Sequence, residues 1–199
     1  QRLRVPMLII TSQPENSRKL YEQLLNWCPS EDIKLFPEPE SLPYEFIASD
    51  TSSEMERLQA LAALANLDGE GKEAKPGSPV IIASAAAFMQ KAPPHSEFAG
   101  VAYSVKPGME VEPFQLLGRL QAMGYTLEEM VEIPGTVSHR GGIIDIYPST
   151  GTLPARLEFL GNTIESIRLF DPVSQRSLRE ATSITIAPAT ELLTPFIND

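Results

Sequence analysis

Along this chain the apolar positions repeat with two different periods, and the change of period falls near its middle. Residues 5 to 11, V-P-M-L-I-I-T, form a short continuous apolar run that predicts a buried strand. Ser17 to Trp27 then place Leu20, Leu24 and Trp27 on one face of a predicted helix. Ile33 to Phe36 predicts a second short strand, followed by a proline-rich loop, F-P-E-P-E-S-L-P-Y-E. Ser53 to Glu56 has the spacing of a capping box: a serine accepts from the first free amides of a helix, and a glutamate three residues on reaches back. The helix it announces carries Leu58, Leu61, Ala65 and Leu67. After the polar loop Asp68 to Pro79, V-I-I-A predicts another buried strand, which leads into an alanine-rich helix ending at Met89. Strand alternating with helix is the pattern of a parallel sheet.

From Lys91 to Tyr103 the character changes, with Pro93-Pro94 and Gly100 marking a boundary. A strand over Val101 to Val105 and a helix over Pro113 to Met123 precede three runs of period two: Ile143 to Tyr147, Ala155 to Leu160 and Thr163 to Phe170. Turn residues separate them, Pro148-Ser149-Thr150-Gly151-Thr152 and Gly161-Asn162, so they predict an antiparallel meander in an α+β module. Strand parity puts Leu157 and Phe159 on the core face, and Arg156, Glu158 and Leu160 on the other. Pairing across the first turn sends Ile144 and Ile146 to the core and leaves Asp145 and Tyr147 outside. Gly141-Gly142 suits a bulge that turns Arg140 to the same outer face as Arg156.

Charge narrows the choice of partner. The net charge is −10; residues 1 to 99 carry 9 basic and 14 acidic side chains, and residues 100 to 187 carry 7 and 10. Duplex affinity comes largely from Lys and Arg neutralising phosphates, so weak DNA binding and a protein partner are expected. One cysteine, Cys28, excludes an internal disulfide framework and fits a reducing compartment; with no apolar run near the length of a membrane span, a cytoplasmic setting is expected. The chain begins at Gln1 and is read as an excerpt of a longer polypeptide.

Chemistry-bearing motifs are sparse. A phosphate-binding loop needs G-x-x-x-x-G-K-[ST]; the nearest run, Gly69-Glu70-Gly71-Lys72-Glu73, lacks the spacing and ends in an acid. Thr11 and Ser12, near a helix start, read as a helix cap ahead of an anion site. His95, His139 and Cys28 show no metal-ligand spacing, and Cys28 beside Trp27 reads as core or rim packing. Glu38, Glu40 and Glu45 read as a solvated loop face. No catalytic residue, cofactor site or metal site is expected.

The order of types in the second half is distinctive. Arg140-Gly141, an aliphatic run holding Asp145, the turn Tyr147-Pro148, the strand Arg156-Leu157-Glu158-Phe159, then G-x-x-I-x-x-I-R from Gly161 to Arg168 and Phe170-Asp171-Pro172 resemble the UvrB-interaction domain. That domain is shared by the excision-repair protein UvrB and the bacterial transcription-repair coupling factors, and the likeness runs from about Pro107 to Ala187. In the first half, Phe36-Pro37, Glu40, Leu42-Pro43-Tyr44, Ser53-Glu54 and Arg57-Leu58 resemble the coupling-factor pattern, with Pro39 where that pattern has Trp. UvrB has a tyrosine-rich clamp here, whereas this chain offers Tyr44 and Phe46; Ser138 also replaces an Arg of the UvrB members.

The resemblance implies the N-terminal region of a coupling factor: a degenerate RecA-like α/β module over residues 1–99, an inserted α+β UvrB-interaction domain over 100–187 built on the meander, and a return to the first module over 188–199. It implies docking of UvrA through Arg140, Arg156 and Leu160, the last being Phe in many relatives. RNA polymerase, DNA and an ATP-driven motor would be served by other parts of the full protein. The rival is the first part of a UvrB-type ATP-dependent DNA helicase. On composition alone, Arg140 and Arg156 would merely pair with Asp145 and Glu158 on a solvated face.

Overall fold

The computed structural model describes residues 5–30, 32–39, 51–67 and 79–191. Three strands form a parallel sheet in the order β1 (Met7–Thr11), β3 (Val80–Ser84), β2 (Ile33–Phe36). β3 is central and its Ile81, Ile82 and Ala83 are buried, as a strand covered on both faces requires. β1 departs from the buried strand expected of it. Among the described strands it has one neighbour, and Met7, Leu8 and Ile10 are each close to half exposed.

Helix α1 (Pro14–Leu25) follows β1 and packs Leu20, Tyr21 and Leu24 against Ile33, Leu35 and Ile82. It starts three residues earlier than the apolar period indicates, because Pro14 sits at the first turn, where its missing N–H costs nothing. It ends before Trp27, which is 86% exposed, and Cys28 is exposed too, so neither joins a core. The Thr11 hydroxyl donates to the Gln13 carbonyl at 2.8 Å and lies 2.7 Å from the Ser17 hydroxyl, which closes the entry to α1.

Helix α2 spans Thr51–Leu64. Ser53 therefore lies inside the helix and cannot be its cap; the capping-box spacing is met by residues of the first turn. Buried Arg57 makes the principal polar connection of α2: Nη1 donates to the Pro37 carbonyl at 2.7 Å, Nη2 and Nε bond the Glu191 carboxylate, and the guanidinium lies 4.0 Å from the Phe36 ring centroid. Short helices α3 (Ala85–Phe88) and α4 (His95–Val101) follow β3. Ser84 caps α3 by accepting from the Ala87 amide, and its hydroxyl donates to Glu38, so Glu38 is engaged and is not a solvated loop acid. Phe98 of α4 packs on Leu58 and Ala62 of α2. Gly100 lies within α4, and the expected strand at Val101 begins two residues later. Glu40, Leu42-Pro43-Tyr44, Glu45, Phe46 and the Gly69–Glu73 run lie outside the described residues.

The second half is α+β. β4 (Tyr103–Val105) pairs antiparallel with the late strand β11 (Ile184–Ile186). Helix α5 (Pro113–Ala122) lies between, its N-terminus capped by Glu112, which accepts from the amides of Phe114 and Gln115. A six-stranded sheet runs in the order β10 (Ser177–Glu180), β9 (Thr163–Phe170), β8 (Ala155–Leu160), β7 (Ile143–Tyr147), β6 (Thr136–Arg140), β5 (Thr126–Leu127). β7, β8 and β9 are the meander, with the bounds that period and turns indicate. Its inner face presents Ile144, Ile146, Leu157, Ile164, Ile167 and Leu169 to Leu116, Leu117 and Leu120 of α5. Burying an aliphatic side chain of this size is worth about 1.5–3 kcal/mol, so the α5 contact is a main support of the sheet.

The chain leaving β11 is clasped by this module. Tyr125 Oη donates to the Ala187 carbonyl at 2.8 Å and accepts from the Ser149 amide at 3.2 Å; the Ser149 hydroxyl donates to the Pro188 carbonyl at 2.8 Å. The Ala189 amide donates to the Met123 carbonyl at 2.8 Å. Gly124, at φ 93°, lets this segment pass: a Cβ there would come within 2.6 Å of Thr190 Cγ2. Burial is complete enough to push the Tyr125 phenol up to about 12. Tyr125→Phe leaves the Ser149 amide without its acceptor and the Ala187 carbonyl with only the long 3.4 Å contact from the Ser149 hydroxyl, and is expected to cost about 1–3 kcal/mol in urea unfolding. An unchanged midpoint would show that the clasp contributes nothing.

Candidate partner-docking face

β6 was not legible as a strand, and it decides how the outer face is built. Gly141-Gly142 form no bulge: they are the two-residue turn of a hairpin joining β6 to β7, with Gly141 at φ 59°, the left-handed region where glycine carries no steric penalty. Arg140 thus reaches the outer face by plain alternation from Ser138. Across the strands the register aligns Ser138, Asp145, Arg156, Arg168 and Glu180 in one row.

Asp145 is the hub of that row. It stands on the outer face, as parity requires, but is 1% exposed, so it is not outside in the sense of being solvated. Arg156 makes a bidentate contact with it, Nε to Oδ1 at 2.7 Å and Nη2 to Oδ2 at 2.8 Å. The guanidinium lies 4.7 Å from the Phe170 ring centroid, and its side chain is 17% exposed. The Asp145 contact is the main cause that raises the Arg156 pKa further, so this cation is fixed as well as permanent. Arg140 comes from the other side: its Nη2 is 3.5 Å from Asp145 Oδ2, a loose contact, and 58% of its side chain is exposed.

The two arginines are therefore brought together on one carboxylate, in different states. Arg156 is held by Asp145 along one edge of its guanidinium and by the Phe170 ring on its face, whereas Arg140 makes one loose contact and stays mostly exposed. Glu158 pairs with Arg168 at 3.6 Å and accepts from the Ser166 hydroxyl at 2.7 Å, not from Arg140 or Arg156. Leu160 is 73% exposed. It lies four residues along β8 from Arg156, roughly 13 Å at strand rise, and gives the patch its apolar end. Arg168 and Phe170 went unassigned from sequence, and the burial of Asp145 was not foreseen. The one signal was an acid inside the otherwise aliphatic run I-I-D-I, which a two-sided strand tolerates only when the acid is paired.

Among the described residues no group of His, Cys, Asp or Glu has metal-binding geometry, and no helix is long and apolar enough to cross a membrane. His139 packs edge-on against Phe114, with ring centroids 4.9 Å apart.

Residues 103–192 match the family model of the UvrB interaction domain. Over 188 residues, 94% of this chain, the sequence is 34% identical to the transcription-repair-coupling factor of Bacillus subtilis. Over 157 residues it is 37% identical to that of Myxococcus xanthus, and over 189 residues 29% identical to that of Escherichia coli. The chain spans 15%, 12% and 16% of the length of those three proteins. The outer face of β6 to β9 lies wholly within the matched segment, and the similarity continues through the parallel-sheet half. The chain carries a UvrB interaction domain over residues 103–192 and resembles, over nearly all of its length, a region of the transcription-repair-coupling factors.

Proposed function

We propose that this chain is a docking region that recruits UvrA for nucleotide excision repair, acting in the cytoplasm by binding and without chemistry of its own. The parallel-sheet half is a RecA-like module with no ATP site, into which residues 100–187 are inserted. RNA polymerase, DNA and the ATP-driven motor are engaged elsewhere in the longer protein. The observation that carries this reading is the exposed Arg140 beside the Arg156–Asp145 pair, on a sheet face that ends in exposed Leu160. Arginine suits such a face because its planar fork meets carboxylates bidentately and tolerates partial burial. The relatives above carry the coupling-factor name, which favours this reading over a UvrB-type helicase fragment.

The test is calorimetric titration of UvrA into the chain: saturable heat is expected, and its absence at tens of micromolar would overturn the proposal. Leu160→Phe adds aromatic area at the apolar end of the face and is expected to leave the affinity unchanged or raise it up to roughly tenfold, the scale of an interface aromatic anchor. A fall in affinity would place the contact away from Leu160.

A further inference from the structure

A second surface, apart from the arginine face, is built to be covered. β5 leads into the loop 128–134, and between Arg119 and Arg140 the sequence holds no lysine or arginine. Glu128, Glu129 and Glu132 are exposed on this loop. Met130 stands among them, with Leu127 at the end of β5 before them and Ile133 after them; the three are three residues apart and 49%, 46% and 54% exposed in chain order. Isolated apolar side chains on a surface need no explanation, but three on one short segment interleaved with acids do.

Beside the loop opens a cleft of about 400 Å³, walled by Glu54 and Met55 of α2, Glu128 and Ile133 of the loop, Gly135 and Ala189. Gly135 in its wall is at φ 83°, a backbone conformation that favours glycine. Among the described residues no ion pair neutralises Glu54. Arg57, one turn further along the helix, is consumed by Glu191, the Pro37 carbonyl and the Phe36 ring. Burial, then the neighbouring Glu191 carboxylate, raise the Glu54 pKa above the ordinary glutamate range. A carboxylate in that position gains from a cation brought in from outside.

We propose that this cleft and its rim dock a basic segment of a protein partner, which inserts an arginine or lysine side chain between Glu54 and Glu128 and rests apolar side chains on Leu127, Met130 and Ile133. Charge complementarity selects this occupant. A second copy of the chain would bring its own net charge of −10 against an acidic rim, and a nucleic acid would bring phosphates. The inference does not depend on UvrA docking, because none of Arg140, Asp145, Arg156 and Leu160 lines the cleft.

The probe is an alanine-based amphipathic peptide with arginines and leucines on one face, together with its citrulline counterpart, which keeps the shape and removes the charge. Each is titrated against the isotope-labelled 199-residue chain by NMR. Saturable amide shifts are expected at Thr126, Gly135, Thr136 and Thr190. Affinity should fall at least tenfold for the citrulline peptide, and at least fivefold for the Glu54→Gln and Glu128→Gln chains. Equal binding of the two peptides, shifts confined to the strands around Arg140, or no shifts would overturn the proposal. So would concentration-dependent shifts at the same amides without peptide, which would assign the patch to a second copy. Failure here would leave UvrA titration untouched, so the two readings fall separately.

Discussion

Arg156→Ala is expected to destabilise the fold by about 3 kcal/mol, because it leaves Asp145 buried among β6, β7 and β8 without its bidentate partner. The figure lies at the low end for a broken buried pair, since Arg156 is 17% exposed and water enters the vacated space. Urea unfolding reads it directly, and Tm should fall by roughly 6–12 °C for a chain of this size. An arginine that parity puts on the outer face would ordinarily be replaced at little cost to the fold, and here that is not expected. The double variant Asp145→Asn, Arg156→Gln should recover much of the loss, because no charge is then buried without a partner; a double-mutant cycle measures the coupling. An Arg156→Ala chain as stable as the parent would show that Asp145 is satisfied without it.

Arg140→Glu should behave in the opposite manner, weakening UvrA binding by roughly tenfold to a hundredfold, or about 1.4–2.8 kcal/mol, while moving the unfolding midpoint little. Its contact with Asp145 is long and its side chain mostly exposed, and such surface pairs contribute about 0–1 kcal/mol. Arg140→Ala separates lost attraction from added repulsion and should show the smaller binding defect. Calorimetry against UvrA, with circular dichroism on each variant, makes the comparison. Unchanged affinity for a folded Arg140→Glu chain would remove the outer face as the docking surface.

Why some of this could be read from sequence, and some not, follows from where each signal resides. β7, β8 and β9 were legible to the residue because period-two alternation and turn residues are local, and parity then fixed Ile144, Ile146 and Leu157 as core. β6 was not, since T-V-S-H-R has a polar outer side and few apolar residues of its own; it is a strand because β7 pairs with it. Asp145 was assigned to the correct side and given the wrong environment. Parity reports direction, whereas burial depends on two arginines arriving from neighbouring strands. Trp27 followed the helical period past the end of α1, and β1 read as buried from its composition although it has a single neighbour among the described strands. The arginine pair emerged through family resemblance and parity together; its asymmetry required coordinates.

The pairing of β4 with β11 governs how the molecule is made. Ile184 stands opposite Val105, so a strand written early waits for one written almost eighty residues later. During synthesis at about 5–20 residues per second, the strands β6 to β9 are complete roughly one to three seconds before β11 is made, and hairpins pair in microseconds. Until then the edge of β4 is open, and the chain that Tyr125 and Ser149 clasp does not yet exist. A nascent chain stalled before Ile184 therefore carries a finished arginine face on an unfinished body, which protease should cut near β4 and spare within the meander.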